Sequence, residues 1–220
     1  MPKKDKKYLI KIQIIVTVVC IILGIFLHFT YKISGNNWLV GSFSAVNESV
    51  WEHLKLVVFP IFIIGIIEYF FVVDKANNYI EAKAIAVIFS MFLIPIAFYT
   101  YTNLLGTDIT VLDISIFIIS VVLSELISYI IMTKEKKSTK ITEIFFGGLL
   151  LIIIFSFIIF TYNTPKLSIF KDPINDTYGI NKYKKCSKKE HFFVTNLFDY
   201  EYNSTKKNLK HERNIIASLK

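Results

Sequence analysis

Five blocks of apolar residues, each close to twenty long, dominate this chain and leave little choice of fold. About 20 residues of helix cover the ~30 Å of hydrocarbon in a bilayer. Inside lipid every backbone N–H and C=O must find a partner, and a helix supplies those partners within the segment itself. The blocks fall at 12–31, 56–73, 84–101, 109–132 and 141–162, the second broken only by Glu68. Of the 220 residues 54% are hydrophobic and 19% charged, against about 45–50% and about 25% in soluble domains. The surplus is gathered in those blocks. The expected fold is all-α, a polytopic transmembrane helix bundle of about five spans with a basic C-terminal tail. Pro60 and Pro95 fall inside spans and are expected to kink them, with neighbours or water taking up the freed carbonyls.

The formal charge is +8, and its placement says what it is for. Lys3, Lys4, Lys6, Lys7 and Lys11 precede the first span. Lys75 and Lys83 flank the loop after the second, and Lys134, Lys136, Lys137 and Lys140 fill the loop between the fourth and fifth. The opposite loops carry Lys32 and then the cation-free 102–108. This bias puts the N-terminus in the cytoplasm and makes the chain a multi-pass protein of the cell membrane. Lysines beside spans meet the bilayer and its anionic lipids, so nucleic acid is set aside as a partner. The start of the chain resembles a signal peptide. Its apolar run, 12–29, is longer than an ordinary leader core and no small-x-small cleavage site follows, so it is expected to stay as the first span. Cys20 lies in that span and Cys186 in the tail, which implies no disulfide framework and no zinc spacing.

Pro165 stops the last span, and the Pro, Asn, Asp and Gly of 170–179 carry turn chemistry. This segment is expected to fold over the bundle mouth. Residues 1–180 then form the bundle with its outer loop and cap. Residues 181–220 form a basic, partly disordered appendage, with a short basic helix near 205–219 that suits a lipid surface.

The polar residues gather in Val46-Asn47-Glu48-Ser49-Val50-Trp51-Glu52-His53-Leu54-Lys55. Read as the start of a helix near Asn47, this stretch has Asn47 or Ser44 as its cap and Glu48 at the positive end of the helix dipole. Ser49, Glu52 and His53 share a face, and Glu52 pairs with Lys55 at i, i+3. Trp51 reads as an interfacial anchor and Lys55 as a side chain that snorkels to the surface. Five spans bring His28, at the end of the first, and Asp108 and Asp113, at the start of the fourth, to the same membrane face. Two imidazoles beside carboxylates suit Zn²⁺ or a similar divalent ion, with His28, His53 and Glu52 as ligand candidates. Two further acids, Glu68 and Glu125, sit inside spans. Ionisable groups there are costly and mark function by default; alternatively they hydrogen-bond as protonated acids to Tyr69, Ser124 or Ser128.

The run Gly41-x4-Val46-Asn47-Glu48-Ser49-x-Trp51-Glu52-His53-x-Lys55 and the later Thr164-Pro165-x4-Phe170-x-Asp172-Pro173-x4-Tyr178-Gly179 resemble an uncharacterised family of small bacterial multi-pass membrane proteins. The likeness covers about 7–180 and implies no activity. Ser49-x3-His53 also resembles the Ser-x3-His pair of the alkaline ceramidase and adiponectin-receptor-like membrane hydrolases, where these residues help form a zinc site. The later His-x3-His pair of those enzymes is missing here, where the remaining histidines are His28, His191 and His211. Three readings follow: an outward-facing polar site for a lipid head group or an ion, a metal-dependent membrane hydrolase, or a structural subunit of a membrane complex.

Overall fold

A computed structural model describes residues 2–135 and 137–180. They belong to one compact unit, Met1–Ile180. The expected appendage, with Cys186, His191, His211 and the helix near 205–219, lies outside the described residues. The elements run α1 (Lys3–Ile33), α2 (Trp38–Gly41), α3 (Val50–Val72), α4 (Tyr79–Leu105), α5 (Thr110–Met132), α6 (Lys140–Tyr162) and a 3-10 turn, Ser168–Phe170. Helices α1, α3, α4, α5 and α6 are each long and apolar enough to cross a membrane. Among the described residues the extended structure is an isolated bridge between Lys171 and Tyr178. The helices overrun the apolar blocks, α1 by starting at Lys3 and α4 by starting at Tyr79.

Helix α3 is the axis of the bundle, packed against α1, α4, α5 and α6. A helix with neighbours on several sides is apolar around its circumference instead of along one stripe. Leu54, Val57, Val58 and Ile61 of α3 accordingly join Val16 and Cys20 of α1, Val87 of α4, Val121 of α5 and Phe157 of α6 in one core. The bundle's outer surface is also apolar, with Ile22, Phe26, Phe70, Phe92 and Ile144 exposed. That is the surface expected of helices that face lipid. Gly24 lets α1 approach α3 and α5 closely: a Cβ there would run into the Leu56 carbonyl and the Phe117 ring.

At one end of the bundle the α3–α4 and α5–α6 loops are stitched together. Asn77 donates to the carbonyls of Met132 (2.9 Å) and Lys134 (2.7 Å). Asn78 takes a left-handed conformation, φ 55°, which asparagine tolerates better than most residues, and accepts from the Ser138 amide. At the other end, residues 34–49 and 164–180 cover the tips of α1, α3 and α6. Asp172 builds its own turn, its carboxylate accepting the Ile174 (2.9 Å) and Asn175 (3.2 Å) amides. Asn47 donates to the Gly179 carbonyl and ties this cap to the start of α3.

Candidate functional site

The decade 46–55 is split by where α3 begins. The helix starts at Val50, with Ser49 as its cap: the Ser49 hydroxyl accepts the Glu52 amide at 3.3 Å. Asn47 stands outside the helix, its side-chain oxygen accepting the Ser49 amide at 2.9 Å. Neither Asn47 nor Ser44 is the cap that the sequence reading assigned. Ser44 is buried between α1 and the loop, accepting from the Tyr31 amide and donating to the Leu27 carbonyl.

Glu52 and His53, adjacent on a helix, point about 100° apart, and this angle sends them into different surroundings. Glu52 turns inward. Its carboxylate meets the Lys55 ammonium at 2.7 Å and accepts the Val46 amide at 3.1 Å. Lys55 is 0% exposed, so it does not snorkel. Its ammonium also donates to the Gly41 carbonyl (2.9 Å) and the Thr161 hydroxyl (2.5 Å), joining α2, α3 and α6 in one buried polar knot. Trp51 is no free interfacial anchor either. It stacks on Phe157 of α6 at 4.4 Å between ring centres and meets Phe170 of the cap at 4.6 Å.

His53 turns toward α1. Its ring centre lies 5.3 Å from that of His28, and its Nε2 is 3.4 Å from the Glu48 carboxylate. Its Nδ1 lies 3.0 Å from the Ser49 carbonyl, a contact that needs the proton on Nδ1; the contact with Glu48 needs a second proton, on Nε2, and that is the proton a metal ion at Nε2 would displace. One ligand atom each of His28, Glu48 and His53 lies within 4.8 Å of the others. The carboxylate beside the imidazoles is thus Glu48 and not Glu52, which is committed to Lys55. The hydrogen bond from His53 pulls the Glu48 carboxyl down to about 2, with the nearby charges of His53, His28 and Lys32 acting in the same direction against partial burial. Lys32 reaches the same carboxylate at 3.3 Å. The His28 Nδ1 is buried without a hydrogen-bond partner.

Asp108 and Asp113 are not among the residues that could hold the ion. Asp108 is exposed in the α4–α5 loop. Asp113 accepts the Tyr101 hydroxyl of α4.

The acids inside the spans form a second cluster, toward the other end of α3. Lys83 of α4 bridges them, 2.6 Å from Glu68 and 2.7 Å from Glu125. Tyr79 donates to Glu68 at 3.0 Å and Gln13 of α1 to Glu125. These are not the partners that the sequence reading gave, Tyr69, Ser124 and Ser128. Lys83, which by position flanks the loop after the second span, is 3% exposed. Gln13 carried no signal beyond being a polar residue within an apolar span.

Residues 1–180 match a family of unknown function, DUF6512, and the chain belongs to that family. No curated protein and no solved structure matches the chain.

Proposed function

We propose that this membrane protein binds a divalent transition-metal ion at its outward mouth, held by His28, Glu48 and His53. The observation that carries the reading is the state of the two imidazoles. The His53 Nδ1 is engaged by a backbone carbonyl 3.0 Å away, which orients the ring as carbonyl partners orient metal-bound histidines. The His28 Nδ1 is buried with nothing to bond. Two imidazoles and a carboxylate are a ligand set that zinc accepts, and three protein ligands leave a position for water or an incoming group. The Lys-rich start of α1 and the Lys-bearing α3–α4 and α5–α6 loops lie opposite this mouth and face the cytoplasmic leaflet and its anionic lipids in this reading, with the N-terminus inside.

The hydrolase reading has less support. A zinc-bound water would be its nucleophile, but the later His-x3-His pair of the hydrolases it resembles is missing from the sequence. The structural-subunit reading draws on no particular surface.

Elemental analysis of protein purified without chelator tests the proposal. The expected result is near-stoichiometric zinc or a neighbouring transition metal, lost in His53→Ala and His28→Ala and reduced in Glu48→Gln. Retention of the metal in all three variants, or its absence from the unmutated protein together with no thermal shift on added Zn²⁺, overturns the reading.

A further inference from the structure

The second cluster contains two carboxylates and one ammonium, all shielded from solvent: Glu68 is 2%, Lys83 3% and Glu125 0% exposed. Fully ionised, the three sum to one negative charge inside the bundle. An uncompensated charge in a low-dielectric interior is far more costly than any hydrogen bond can offset, and such groups neutralise instead. Every neutral state of these three groups has at least one protonated carboxyl.

The hydrogen bonds show where a proton is wanted. The donors Lys83, Tyr79 and Gln13 all aim at one oxygen of each acid, Oε2. The other oxygens, Oε1 of Glu68 and of Glu125, are buried with no partner, and so is the Oε1 of Gln13, itself 4% exposed. A carboxyl O–H is the donor this side of the cluster lacks. A metal ion is a poorer occupant, because the Lys83 ammonium already fills the position between the two carboxylates. The other titratable groups turned toward the cluster are Cys20 of α1 and Tyr79 of α4. A groove of about 290 Å³, lined by Gly65, Ile66, Tyr69, Tyr79, Lys83 and Leu150 among others, reaches it between α3 and α4.

We propose that Glu68, Lys83 and Glu125 form a proton-binding site within the membrane-crossing bundle, holding one exchangeable proton shared between the two carboxyl groups. Uptake of the proton from water forms a carboxyl O–H and brings the cluster to zero charge. Release breaks that bond, returns the proton to water and leaves the cluster at one negative charge. The site lies at the opposite end of α3 from Glu48 and His53 and does not depend on the metal.

Infrared spectroscopy of the purified full chain in lipid, at neutral pH in H₂O and in D₂O, tests this directly. The unmutated protein should show the carbonyl stretch of a protonated carboxyl, displaced on transfer to D₂O. Exposed acids are ionised at this pH and do not contribute. Glu68→Gln and Glu125→Gln each leave a neutral ammonium–carboxylate pair, so the band should vanish in both. Lys83→Gln leaves two acids without a cation, so the band should grow about twofold as both protonate. Glu48→Gln, at the metal group, should leave the band unchanged. The absence of such a band from the unmutated protein overturns the proposal whatever the variants do. So does a band that survives both glutamate substitutions, or one that does not respond to D₂O.

Discussion

Replacement of Lys55 by methionine removes a charge that holds three segments together. An ammonium has three protons. Here they are absorbed by Thr161 (2.5 Å), Glu52 (2.7 Å) and Gly41 (2.9 Å), with the Ser44 carbonyl a weaker fourth contact at 3.4 Å. Methionine is of similar length and fills much of the same space, so the loss is electrostatic. Glu52, 2% exposed, is left as a buried carboxylate whose remaining donors are the Val46 amide and, weakly, the Thr161 hydroxyl. Breaking a buried pair on one side costs about 3–5 kcal/mol. At about 2–4 °C of melting temperature per kcal/mol for a chain of this size, the lower bound alone is a fall of about 6–12 °C. The Gly41 carbonyl loses its ammonium donor as well, which adds to the cost. Glu52→Gln should be damaging in its turn, since it leaves the ammonium unpaired. The double variant Glu52→Gln/Lys55→Met removes both charges and should recover at least about 2 kcal/mol relative to the sum of the single changes, the signature of direct coupling. The assay is thermal unfolding of the four proteins in one detergent at one pH. If Lys55→Met costs under about 1 kcal/mol, as an exposed pair would, or if the two changes add, the reasoning is wrong.

Three other outcomes are expected. Gly24→Ala should destabilise by about 1–3 kcal/mol, because the new methyl meets the Leu56 backbone carbonyl and the Phe117 ring; denaturant unfolding reads the change. In metal-stripped protein, Glu48 bonds His53 and its folded value of about 2 lies below the ordinary 4.5. The stabilisation is therefore complete above 4.5 and lost as pH falls from there toward 2, and Glu48→Gln should abolish that part of the acid sensitivity of melting. On a background without Cys20 and Cys186, Thr107→Cys should react with an impermeant thiol reagent in intact cells and Lys137→Cys should not; the reverse pattern inverts the orientation.

The spans were legible because period and length decide them. An apolar run of twenty residues has few alternatives, and α5 and α6 begin within a residue of where hydropathy puts them. The chemistry was legible as an inventory and not as a geometry. His28, Glu48 and His53 were all recognised as polar groups at one end, but choosing Glu48 over Glu52 depends on where α3 starts. A helix beginning at Asn47 would carry Glu48 upon it; one beginning at Val50 leaves Glu48 in the preceding turn, folded back to His53. Helix ends are the least determined features of a sequence, because capping can occur at several neighbouring polar residues. Lys83 shows a different blindness. It sits a single turn inside α4, close enough to the loop to be read as an orientation signal. Its partners Glu68 and Glu125 come from α3 and α5, and nothing in local composition reports that the three meet. The burial of Lys55 is hidden from the sequence for the same reason, its acceptors Gly41 and Thr161 lying far away in the chain.

Both polar layers hang on α3, which ties the two ends of the bundle mechanically. Glu52 and Glu68 are separated by about 24 Å of helix at about 1.5 Å per residue, a large part of the ~30 Å hydrocarbon thickness. Each is ionically bound to a lysine that anchors a different neighbour: Lys55 to α2 and α6, Lys83 to α4 and, through Glu125, α5. The two layers differ in charge balance. Glu52 and Lys55 are one acid and one base, and cancel. Glu68, Lys83 and Glu125 do not, so the inner layer has a protonation change open to it that the outer knot lacks. On the proposal of an exchangeable proton, the outer knot is a fixed ion pair and the inner cluster the one that changes charge.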